Sequence, residues 1–184
     1  MHALKALDLL FGNLGESYQS GSESAIDAIH RGATVAGIAL SNSFLGVCHS
    51  LTHTVGAKFH LPHGMTNGIL LPHVIRYNAS DKPTRMGIFP SYSYPVSIGR
   101  YSEIAKHIGA PSNDSEGLVI MIQNIKKDLN LPSNFKDTHV PKEEFMACLD
   151  EMAEAAFDDQ CTPANPRFPL VSELKKVLIN AYNG

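Results

Sequence analysis

Apolar residues recur every three or four positions through most of the chain, and nowhere do they alternate over the length of a strand. Met1 to Phe11 reads as a helix that opens without a cap, as though entered partway along. Gly12, Gly15 and Ser20-Gly21-Ser22 predict a loop after it. A second helix is expected from Ser22–Ser24 to Phe44, with Ala25, Ile26, Ile29, Ala33 and Ala36 along it and Gly32 and Gly37 permitting close helix–helix approach. A histidine-bearing helix follows and is broken near Pro62 and Gly64. Met65 to Tyr77 reads as a buried helix that Pro72 should kink or cut short.

Asn78 to Pro95 has loop chemistry, and its prolines, with Tyr92 and Tyr94, suggest an ordered segment suited to an interface. Ile98 to Ile108 is a short amphipathic helix stopped by Gly109, and Ser112–Asp114 caps the next, which ends at Leu131-Pro132-Ser133. Pro141 sits at the first turn of a helix whose apolar face runs through Phe157. Asp158 to Arg167 is polar and proline-rich, and a last helix runs from about Pro169 to Tyr182. The sum is an all-α domain of seven to nine helices, without internal repeats.

Composition narrows the setting. At 184 residues, 43% hydrophobic and 18% charged, the chain suits one globular domain. A formal net charge of −3 gives no reason to expect nucleic acid as a partner. No apolar run approaches a membrane span and no signal segment opens the chain. Cys48, Cys148 and Cys161 are odd in number and lack CxxC spacing, which reads as reduced thiols and a cytoplasmic setting.

Candidate chemistry concentrates in Phe44–Asn67, which holds four of the nine histidines: His49, His53, His60 and His63. His49 and His53 share one face of a helix at i, i+4 spacing. Beyond the break, Pro62-His63-Gly64 delivers another imidazole from a second direction, as a metal's coordination geometry requires. The competing reading is packing or surface histidines. Ser50 follows His49 where a zinc protease carries glutamate, so metal-dependent peptide hydrolysis is disfavoured. Asp27 and His30 read as a solvated pair, and His73 as a packing histidine.

The run GVCHSLTHTVGAKFHLPHG resembles the histidine signature of the iron-containing alcohol dehydrogenases. VIRYNASDKPTRMGIFPSYSYP and AFDDQCTPANPRFPLVSELK resemble the C-terminal end of the bifunctional aldehyde–alcohol dehydrogenases within it. The resemblance implies the helical half of an alcohol dehydrogenase module, with His49 and His63 as metal ligands and His53 beside the metal, near substrate and nicotinamide. His60 would lie outside the ligand set, near it, and Leu40 stands where relatives carry phenylalanine near the cofactor. Iron is the implied metal, with zinc as the alternative, and NAD would be held mainly by a nucleotide-binding half.

Two departures qualify this. The family's upstream Asp-x-x-x-His pair and its Gly-Gly-Gly-Ser phosphate loop have no counterpart here. The resemblance therefore implies an NAD-dependent dehydrogenase of short alcohols and aldehydes whose partner half completes the site. The isolated chain is expected to bind metal weakly and to be inactive. The same resemblance implies homo-oligomers or filaments, so a non-catalytic oligomerisation module is the alternative reading.

Overall fold

The computed structural model describes all residues except 89, 90 and 92. The tyrosine- and proline-rich interface expectation falls partly on these, at Pro90 and Tyr92, outside the described residues. Among the described residues there are nine α-helices and no strand. They are α1 (His2–Ser20), α2 (Glu23–Ser43), α3 (Val47–Phe59), α4 (His63–Asn78), α5 (Ser97–His107), α6 (Ser115–Asp128), α7 (Lys142–Ala147), α8 (Leu149–Asp158) and α9 (Val171–Asn183). The all-α expectation holds; among the described residues the one extended pairing is an isolated bridge between Met86 and Arg167. No single helix among the described residues is long and apolar enough to cross a membrane.

Three boundaries differ from expectation. α1 continues through Gly12 and Gly15 to Gly21, which ends it at φ 66°. A mid-helix glycine costs about 1 kcal/mol, and packing along the length of α2 offsets that cost. At Gly32 the two helices approach closely, since a Cβ there would lie 3.0–3.1 Å from Leu9 and Leu10; Gly37 stands in open space. Pro72 does not end α4, which runs unbroken to Asn78 with the proline ring buried. The helix expected to run through Phe157 is divided at Cys148 into α7 and α8.

The main core is built by α3, α4, α8 and α9 around Leu51, Val55, Leu70, Met152, Leu174 and Leu178. Phe145 stands at one end of it, with ring centroids 5.7 Å from Phe59, 5.4 Å from Phe135 and 4.8 Å from Tyr182. A smaller cluster joins Ile75 of α4 to Ala105 of α5 and Leu118 and Val119 of α6. α1 and α2 form a hairpin that rests mainly on itself, tied to α5 by Asp8 and His107 at 2.7 Å. Asp27 pairs with Arg31 at 3.0 Å on the exposed side of α2, not with His30.

Candidate functional site

α3 is built to present two imidazoles. Val47, Leu51 and Val55 are fully buried against the core, one turn apart. That fixes the helix rotation and turns His49 and His53 toward the opposite, open side. His60 ends α3 in the left-handed region at φ 53°. The N–H groups of His60 and Leu61 both reach back to the Gly56 carbonyl. Pro62 then starts α4, so His63 enters in its first turn.

The result is a three-imidazole cluster. Ring centroids lie 5.3 Å apart for His49–His63, 5.5 Å for His53–His63 and 6.2 Å for His49–His53. The three histidines singled out from the sequence meet across the Pro62 break. Burial lowers the pKa of His49, and the neighbouring His63 and His53 lower it further, with Asp159 opposing. His49 is therefore held neutral, the form in which an imidazole ligates metal. Asn67 braces the cluster from α4: its Nδ2 lies 3.3 Å from both ring nitrogens of His63. Its Oδ1 accepts from the Cys48 thiol at 3.4 Å. Burial pushes that thiol up to about 12, so it stays protonated.

Of the other sequence candidates, His60 and His73 make no ring contact with these three among the described residues. His60 is exposed. Leu40 lines a cleft of about 360 Å³ with Phe44, Leu45, Gln160 and Cys161, and Cys161 in turn lies beside His53 and Asp159. His73 is half-buried in α4, where burial, with Arg76 and Lys126, brings its pKa down to about 4.

One participant was missed in the sequence. Asp159 Oδ2 lies 2.9 Å from His53 Nδ1, and its Oδ1 accepts the Cys161 backbone N–H at 2.8 Å. Burial alone would raise this carboxyl; the N–H of Cys161 and the His53 ring outweigh it and hold Asp159 below the usual carboxylate range. Potential ligand atoms of His53, Asp159 and Cys161 lie within 4.8 Å of one another. Burial and then Asp159 push the Cys161 thiol up to about 11. Without a metal the trio is a hydrogen-bonded unit joined through Asp159.

The segment carrying Asp159 is latched along α3 at three points. Beside the Asp159–His53 contact, Thr162 Oγ1 gives its proton to the Ala156 carbonyl at 2.6 Å and is hydrogen-bonded to Ser50 Oγ at 2.8 Å, and Asn165 Oδ1 accepts the Val47 N–H at 3.3 Å. Residues 159, 162 and 165 thus meet 53, 50 and 47 in antiparallel register. The spacing of three suits the 3-10 turn Thr162–Ala164 and one turn of α3. Asn165 serves as the missing cap of α3, whose own N-cap, Gly46, has no side chain. Gly46 is needed there because a Cβ would lie 2.6 Å from Asn165 Oδ1.

With this geometry in view, the family match is decisive. The family model described as Fe-containing alcohol dehydrogenase family, C-terminal, matches residues 1–182. The chain belongs to the iron-containing alcohol dehydrogenase family. It is 45% identical to the bifunctional aldehyde-alcohol dehydrogenase of Escherichia coli K12, over 99% of this chain and 21% of that protein. It is 41% identical to the aldehyde-alcohol dehydrogenase of Clostridium acetobutylicum, over 98% of this chain and 22% of that protein. The fold agrees with the iron-containing alcohol dehydrogenase of Thermococcus thioreducens at a TM-score of 0.85 and 31% identity, covering all of this chain and 43% of that one. The chain thus spans about a fifth of the bifunctional relatives it matches.

Proposed function

We propose that this chain is the metal-bearing helical part of an NAD-dependent alcohol dehydrogenase that interconverts short aldehydes, acetaldehyde among them, and the corresponding alcohols. The observation that carries the reading is the meeting of His49, His53 and His63 from two helices, with centroids 5.3–6.2 Å apart. Membership of the family supports it.

The donor set fits a divalent metal: His49 is held neutral by burial, and the cluster opens to solvent through the exposed His53 and His63. His49 and His63 hold the ion, iron in this reading and zinc as the alternative. When bound, the ion supplies Lewis acidity toward an alcohol or aldehyde oxygen. Two imidazoles make a weak site, and a catalytic metal usually has three protein ligands and an open position. The remaining ligands come from residues outside these 184, and NAD is held mainly by a nucleotide-binding half. His53 stands beside the pair and takes or returns the substrate's hydroxyl proton, a task suited to an imidazole near neutral pH. The apolar side chains of Ile26, Ile38 and Leu40, 39–45% exposed on α2, offer surface for that half or for self-assembly.

The test is substitution in the complete enzyme. His49→Ala should abolish alcohol oxidation with assembly intact. Loss of assembly with activity retained would favour an oligomerisation module instead. The 184-residue chain alone should bind iron or zinc weakly and show no turnover; tight stoichiometric iron with turnover would refute the shared-site reading.

A further inference from the structure

His53 is exposed and stands at the edge of a cleft of about 430 Å³, shared with Thr54, Lys58, Glu151, Met152 and Ala155. Its side chain is 39% exposed, so packing alone does not fix the ring, whereas Asp159 is only 17% exposed. The two oxygens of Asp159 are both committed, one to the Cys161 backbone N–H at 2.8 Å and the other to His53 Nδ1 at 2.9 Å. The carboxylate is therefore fixed by backbone before the ring meets it. Thr162–Ser50 and Asn165–Val47 lock the same segment to α3 one and two turns away.

We propose that Asp159 is a positioning residue: it holds His53 in the Nδ1–H tautomer and at one ring angle, leaving Nε2 as the nitrogen that exchanges the substrate proton. This rests on the proton-handling role proposed above for His53. A carboxylate has no proton to give, so Nδ1 must donate, and the lone pair of a neutral ring is then left on Nε2. A carboxylate behind a working imidazole fixes both tautomer and orientation. The strap from Asp159 to Asn165 is thus part of the site although it lies more than 100 residues away in sequence.

The experiment reads the tautomer directly. In the ¹⁵N-labelled 184-residue chain at about pH 8, where an ordinary imidazole is neutral, long-range N–H correlations should show His53 protonated at Nδ1. Asp159→Ala should lower the ratio of Nδ1–H to Nε2–H about tenfold, equivalent to ~1.4 kcal/mol, while Asp158→Ala leaves it unchanged. A merely structural aspartate would move the melting temperature and not this ratio. Nε2–H as the dominant form in the unmutated chain overturns the proposal, whether or not Asp159→Ala folds. So does an unchanged ratio in folded Asp159→Ala. In the complete enzyme, Asp159→Ala should lower kcat at least tenfold, in line with losses seen for such supporting carboxylates, with KM little changed. If His53→Ala lowers kcat and Asp159→Ala does not, the positioning role fails alone. If His53→Ala leaves kcat unchanged, the parent role fails and this one with it.

Discussion

Replacing Asn165 with alanine tests how the histidine helix is held. Asn165 is 2% exposed, and its side-chain amide makes four hydrogen bonds. Oδ1 accepts from the Val47 N–H and from Asn78 Nδ2, both at 3.3 Å. Nδ2 donates to Asn78 Oδ1 at 2.8 Å and to the Arg167 carbonyl at 2.6 Å. Asn165→Ala strands the N–H of fully buried Val47 and the oxygen of Asn78, which is 6% exposed. Asn78 Nδ2 keeps one partner, the Tyr101 hydroxyl at 3.3 Å. Each stranded buried group costs ~1–3 kcal/mol, and water admitted into the vacated space recovers part of it. The expected loss is about 3 kcal/mol. With a urea slope of about 2 kcal/mol/M, the midpoint should fall by ~1.5 M at unchanged slope. Pro163→Ala, at an exposed site in the same segment, should change stability by less than ~0.5 kcal/mol. A loss below ~1 kcal/mol for Asn165→Ala would show that water caps α3 as well as Asn165 does, and the latch argument would be wrong.

Three further outcomes follow from the same contacts. Gly46→Ala places a Cβ 2.6 Å from Asn165 Oδ1; urea unfolding should show a loss of ~1–3 kcal/mol, the usual cost of overpacking. It should add little when combined with Asn165→Ala, because both act on one contact. Gly87→Ala meets the Asn165 carbonyl oxygen at 2.5 Å, a backbone atom that cannot swing away, so its loss should persist in the Asn165→Ala background. Acid should destabilise the chain through His73: the unfolded imidazole takes its proton near 6.5, the folded one only near 4. Between those values the unfolded state binds more protons, so stability falls as pH drops from 6.5 toward 4. The loss should be roughly 1–2 kcal/mol, discounted for the ring's partial exposure. His73→Gln should flatten that part of the profile.

The periodic helices were legible because each buries one continuous stripe, as Val47, Leu51 and Val55 do on α3. The meeting of His49 with His63 was legible for a local reason: a proline break between two short helices returns the chain on itself. The length of α1 was not, because Gly12 and Gly15 read as breakers and only contact along α2 shows why they are tolerated. Pro72 did not cut α4 short either, since tertiary packing holds a buried helix together across a proline. Asp159 was missed because its partner is 106 residues away and its segment read only as polar and proline-rich. The signal was present in the polar residues at 159, 162 and 165, a spacing that matches turns of a helix facing them.

The most direct test of the account is the metal content of the complete enzyme. Unmutated protein should hold about one divalent ion per subunit, as a single catalytic site of this kind does. His49→Ala and His63→Ala should each lose that ion while keeping the helical circular dichroism and melting profile of the parent. Full metal occupancy in both folded variants would contradict the claim that these two imidazoles hold it.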